Sequence, residues 1–169
     1  MNRYTCILNS LKLNISHIQL TPSQMACRAC IKERLFYPGV VNLYGPSGVG
    51  KTLMGWVLAN SGFATYLVHP TKHEQIDLCT VNIVFVDNAR SDRISFRQLM
   101  GTLESRGVER IIVVTRSPAD DYVFRTELSL SNEDIAIAQR NLADMGYQIR
   151  IQNYMNLWQL LRKTAGEEQ

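Results

Sequence analysis

Apolar and polar residues along the chain fall into two rhythms. Val40-Val41-Asn42-Leu43-Tyr44, Val81-Asn82-Ile83-Val84-Phe85-Val86 and Arg110-Ile111-Ile112-Val113-Val114-Thr115 are short, near-continuous apolar runs, the pattern of strands covered on both faces. Ala64 to Val68 is a shorter run of the same kind. Alternation with a period of two predicts half-buried strands at Leu11, Leu13 and Ile15, at Phe124, Thr126, Leu128 and Leu130, and at Tyr147, Ile149 and Ile151.

The intervening segments carry the helical period. Thr21-Pro22-Ser23-Gln24 combines a cap, a first-turn proline and a capping box, and the helix it opens runs to about Phe36, before Pro38-Gly39. A second helix covers Lys51 to about Asn60, with Leu53, Met54, Val57 and Leu58 as its buried stripe. Gly55 interrupts that stripe, and close packing on a sheet is one reason to tolerate it. A third begins at Ser91 or Asp92, carries Phe96, Leu99, Met100 and Leu103, and ends at Gly107. A fourth starts at Ser131, carries Ile135, Ala138, Leu142 and Met145, and ends at Gly146. A last helix places Tyr154, Leu157, Trp158 and Leu161 on one stripe.

Strands alternating with helices imply an α/β protein: three layers, with a mostly parallel central sheet of about five or six strands flanked by helices. At 169 residues one domain is expected. Residues 1–37 form an N-terminal strand and helix packed on the core. Residues 38–169 form the core with a C-terminal α/β extension. The net charge of +3 is mild, compatible with a phosphate ligand but not a demand for nucleic acid. No apolar stretch is long enough to span a membrane and no signal-peptide core opens the chain, so a cytoplasmic protein with reduced cysteines is expected. Cys27 and Cys30 form a C-x-x-C inside a helix with no second pair. They read as two small residues one turn apart, with zinc or redox chemistry as the lesser alternatives.

The chemistry concentrates at Gly45-Pro46-Ser47-Gly48-Val49-Gly50-Lys51-Thr52, which reads G-x-x-x-x-G-K-[ST] between a strand and a helix. Glycines let main-chain N–H groups wrap a polyphosphate, and the helix N-terminus adds to that anion site. Lys51 is placed for the β and γ phosphates, and Thr52 for Mg²⁺. Asp87, delivered at the end of an apolar strand, is the second candidate Mg²⁺ ligand, because ligands sit at the carboxyl edge of a parallel sheet.

Leu43 to Thr52, Val81 to Asp87 and Ile111 to Thr115 resemble the P-loop NTPases of the ATPase division, the AAA+ and RecA-like proteins, in a compact single-domain form. The resemblance covers about Pro38 to Leu130. It implies a strand inserted between the P-loop strand and the Asp87 strand, here the one ending at Thr115. It also implies ATP and Mg²⁺ as cofactors, Thr115 as a polar sensor of the γ-phosphate or attacking water, and Arg125 as an arginine finger for a neighbouring subunit, with Arg116 as its rival. Asn88 stands where active AAA+ proteins usually carry a water-polarising Glu. Hydrolysis is then slow, or the base comes from elsewhere, as Glu74 would supply in a RecA-like arrangement. The Tyr147 to Ile151 strand departs from a helical AAA+ lid, and no second sensor arginine can be placed.

The functional expectation is a Mg²⁺-dependent ATPase acting as a motor or switch subunit of a larger assembly, with protein partners or its own copies. Nucleic acid is a further partner class and the membrane is not. Two alternatives stand beside it: a non-hydrolysing nucleotide-binding interaction module, which Asn88 motivates, and a small-molecule phosphotransferase. The arginines between Ala89 and Arg116 are open to three readings, as a solvated helix face, a partner surface or a nucleic-acid contact.

Overall fold

A computed structural model describes residues 2–71, 82–119, 123–150 and 152–166. Among these, five strands form one sheet: β1 (Gly39–Tyr44), β2 (Thr65–Leu67), β3 (Ile83–Val86), β4 (Arg110–Thr115) and β5 (Phe124–Glu127). Their order is β2-β3-β4-β1-β5 and every pairing is parallel. The helices are α1 (Arg3–Leu13), α2 (Pro22–Arg34), α3 (Lys51–Asn60), α4 (Arg93–Glu104), α5 (Asn132–Asp144) and α6 (Leu157–Ala165), with a 3-10 turn at Ile15–His17.

The pleat explains why the central strands are apolar throughout. Val41 and Leu43, Phe85, and Ile112 and Val114 point to one face, where Ile31 and Leu35 of the α2 segment and Met54 and Leu58 of α3 cover them. Val84 and Val86, with Ile111 and Val113, point to the other, against Phe96, Leu99, Met100 and Leu103 of α4. A third cluster lies beyond the sheet, where Ile7 of α1 meets Ile135 and Leu142 of α5 and Leu160 and Leu161 of α6.

Helix starts follow the capping residues. Thr21 and Gln24 form a capping box on α2 with Pro22 in the first turn, Asp92 caps α4, and Ser131 caps α5. At α5 the boxed partner is Asp134.

Three expectations fail. The N-terminal strand is a helix: Tyr4, Ile7, Leu8 and Leu11 of α1 meet the third cluster at helical spacing, and Leu13, one of the alternating residues, is 84% exposed. Residues 147–150 are not a strand. Tyr147 and Ile149 are apolar because they pack on the third cluster, not because a neighbouring strand pairs with them. Ile151, the last residue of that expected strand, lies outside the described residues, and the described elements that follow β5 are the helices α5 and α6. Tyr154 precedes α6 rather than lying on its stripe; it is buried in the same cluster, and its hydroxyl donates to the Arg150 carbonyl at 2.7 Å.

Candidate functional site

The loop from Gly45 to Gly50 leaves the carboxyl end of β1 and turns directly into α3. Val49 anchors it by burying its side chain in the core beside Leu43 and Met54. Gly48 and Gly50 lie in the left-handed region, at φ of 83° and 97°. At Gly50 even the room is missing: a Cβ would meet the Gln24 Nε2 at 2.7 Å. That nitrogen is buried without a hydrogen-bond partner among the described residues, so an unused donor stands directly behind the phosphate loop.

Lys51 bends back on its own loop, its ammonium donating to the Gly45 carbonyl and to the Pro46 carbonyl at 2.8 Å. Burial lowers its pKa, the nearby Asp87 charge opposes that, and Arg116 adds to it. The ammonium is thus held by carbonyl dipoles that phosphate oxygens can replace. Asp87 follows β3 and is 2% exposed. Its Oδ2 accepts from the Thr52 hydroxyl at 2.7 Å and from the Tyr66 hydroxyl at 2.8 Å, and its Oδ1 accepts from the Asn88 N–H at 2.9 Å. Burial, the Asp87 charge and that hydrogen bond all raise the Tyr66 pKa, keeping the phenol protonated and a donor.

Thr115 ends β4 between the two site strands. Its hydroxyl donates to the Ser117 carbonyl at 2.6 Å and accepts from the Asn42 side-chain amide at 2.9 Å. Asn42, wholly buried in β1, also donates to the Val113 carbonyl and accepts from the Ala119 N–H. It thereby fixes the loop after β4. Asn88 has φ of 56°, and its amide donates to the Val68 carbonyl at 3.0 Å.

A cavity of about 800 Å³ opens over these groups. Lys51, Thr52, Asp87, Thr115 and Arg116 line its polar end. Tyr4, Leu8 and Leu11 of α1, Ile18, Trp56 of α3, and Leu157 and Trp158 of α6 line its apolar end. Trp158, on the stripe of the last helix, is 46% exposed. Arg125 stands apart from the cavity. It is exposed on the edge strand β5, opposite Asn42 in register, and donates to the Ala119 carbonyl at 2.6 Å. Glu74 lies outside the described residues. Cys27 is a core residue: burial pushes its thiol up to about 11, and its sulfur lies 3.8 Å from the Thr126 hydroxyl.

The residues fit the groups the motif implies. Mg²⁺ favours hard oxygen donors and takes few from protein, and Thr52 and Asp87 present two at hydrogen-bonding distance. No group of three or more His, Cys, Asp or Glu suited to a metal exists among the described residues, so a cation here would share its shell with phosphate and water. Sequence reasoning missed Tyr66 and Asn42. The signal for Asn42 was a lone amide in a run otherwise buried on both faces. Tyr66 carried no such mark.

No protein-family model and no curated protein sequence matches the chain. Its fold is similar to solved structures. A DNA replication initiation factor aligns at a TM-score of 0.57 and 15% identity, covering 90% of this chain and 62% of that one. AMPPCP-bound DnaA from Aquifex aeolicus aligns at 0.56 and 14%, covering 90% and 65%. The chain thus spans less than two thirds of the length of either. Domain III of the Thermotoga maritima replication initiation protein DnaA aligns at 0.53 and 16%, covering 91% and 90%. Together with the all-parallel order β2-β3-β4-β1-β5 and the loop between β1 and α3, these likenesses give the chain the three-layer P-loop α/β fold of those structures.

Proposed function

We propose that the protein binds ATP with Mg²⁺ and acts as a motor or switch subunit of a larger assembly. The observation that carries this is the join of a glycine loop, Lys51 and the bonded Thr52–Asp87 pair at the carboxyl edge of one parallel sheet. In this reading Gly45 to Gly50 hold the polyphosphate through main-chain N–H groups, and Lys51 exchanges its loop carbonyls for phosphate oxygens. Thr52 and Asp87 hold the cation. It supplies charge neutralisation at the phosphates when bound. Thr115 serves as the polar sensor. Arg125 is an arginine offered from the sheet edge to a neighbouring subunit, and Arg116, which lines the same cavity as Lys51, is its rival for that role. The apolar end of the cavity takes the base. DNA is a proposed partner class because the similar structures include a DNA replication initiation factor.

Asn88 favours a second reading, a module that binds ATP and turns it over negligibly. Its amide is committed to Val68, and no carboxylate follows Asp87.

The test is a thermal melt with ATP, ADP and GTP, each with Mg²⁺. Ligand at a hundredfold over its dissociation constant adds about 2.7 kcal/mol, which raises the midpoint by about 5–10 °C for a chain of this size. Lys51→Ala abolishes the shift. A wild type that none of the nucleotides stabilises rejects the proposal. Phosphate release, alone and with DNA or partner proteins, then separates the two readings.

A further inference from the structure

The hydroxyl of Tyr66 is not needed to fill space. Its ring stacks at a tilt on Phe85, with centroids 5.7 Å apart, and lies against α3 at Gly55, where a Cβ would come within 2.6 Å of both rings. A phenylalanine would occupy the same volume. What the oxygen adds is a donor to Asp87 at 2.8 Å, on the very atom that accepts from Thr52.

Asp87 has reason to point elsewhere. It is the buried carboxylate of a site that also holds two cations, Lys51 and Arg116, and its charge is felt at Lys51. A carboxylate free to turn would pair with the ammonium and leave Thr52 without its partner. Two donors on one oxygen and a main-chain N–H on the other fix its plane.

We infer that Tyr66 is a positioning residue of the cation site, whose hydroxyl holds the Asp87 carboxylate on Thr52 and away from Lys51. The inference rests on the proposed nucleotide reading. It predicts that the hydroxyl matters for the divalent cation and not for the polyphosphate, because the glycine loop and Lys51 do not touch it. Partners of this kind, one shell out from a metal, change metal affinity by about 10–100-fold when removed.

The experiment compares wild type with Tyr66→Phe, measuring ADP affinity by calorimetry with Mg²⁺ and again in chelator, and Mn²⁺ affinity of the ADP complex by electron paramagnetic resonance. The expected result is unchanged ADP affinity in chelator, with a loss of about tenfold in Mn²⁺ affinity and in the Mg²⁺-dependent tightening of ADP. Equal losses with and without cation make Tyr66 a packing residue and overturn the inference. Unchanged or tighter cation binding in the variant overturns it too. A wild type that binds no ADP overturns the functional reading and the inference with it, so the two failures are told apart by the wild-type titration alone.

Discussion

Asp134 is a carboxylate with no exposure to water, and it is answered by donors from two segments of the chain. The Ser23 N–H and hydroxyl reach it at 3.0 and 2.7 Å, and the Ser131 N–H and hydroxyl both at 2.7 Å. Burial acts to raise its pKa, but hydrogen bonds from Thr21, Ser131 and Ser23 overcome that and hold the carboxyl well below the usual carboxylate range. A depressed folded-state pKa stabilises the protein above the unfolded value of about 3.9, and that share is lost as pH falls through the lower folded value. Asp134→Asn should therefore lower stability by about 2 kcal/mol at neutral pH, the scale of a hydrogen bond to a charged group. Denaturant midpoints measured from pH 7 downward should show the two proteins converging below about pH 4. A constant gap across that range would mean that charge plays no part in the staple.

At the same scale lies the limit of what the sequence discloses. The glycine loop is legible because its pattern is local: adjacent residues carry the glycines that its backbone conformation requires. Asp87 is legible because a strand end announces it. Tyr66 and Asn42 act across the sheet, on Asp87 and Thr115, at 21 and 73 residues' separation, and no local pattern encodes such a partner.

Among elements, α6 is the one whose place is least expected. Its first turn abuts the phosphate loop: the Leu157 N–H donates to the Gly48 carbonyl at 2.9 Å, and the Asn156 side chain lies within 3.2 Å of where a Gly48 Cβ would stand. Asn156 also caps the helix, accepting from the Gln159 N–H. Two substitutions separate these duties. Asn156→Ala removes the cap, which costs about 1 kcal/mol and lowers the melting midpoint by about 2–4 °C, with nucleotide affinity little changed. Asn156→Asp keeps the cap but sets a carboxylate beside the phosphates, where about 1 kcal/mol of repulsion weakens binding about fivefold. If the aspartate variant bound ATP as tightly as wild type, α6 would not sit at the phosphate site. The two misread segments, one near each end, were hard to read for one physical reason. Alternation reports that a segment is covered on one side, and it does not say by what. Leu11, Leu13 and Ile15 alternate within a helix and its following turn, and Tyr147 and Ile149 alternate beside a helical cluster. The longer window from Tyr4 to Leu11 held the helical spacing all along.

For the whole molecule the consequence is a division of labour between the sheet and the third cluster. The sheet supplies the polar end of the cavity: loop, Lys51, Thr52, Asp87 and Thr115. The third cluster supplies the apolar end through α1, α5 and α6, and α1 touches α6 but has little contact with the strands. A nucleotide spanning the cavity would join the two, with phosphates on one and base on the other. Its binding energy would then oppose local opening of α1 and α6 as well as of the loop. Amide hydrogen exchange with and without ATP and Mg²⁺ should show protection in Gly45 to Thr52, in the turn around Leu157 and Trp158, and in α1 near Leu8 and Leu11. The central strands β1 and β4, paired on both sides, should exchange slowly in either state. Protection confined to the phosphate loop, with α1 and α6 unchanged, would put the base outside the apolar end and leave the helical cluster without a part in binding. Protection reaching α1 would make the N-terminal helix, which the alternation at Leu11, Leu13 and Ile15 disguises as a strand, a wall of the nucleotide site.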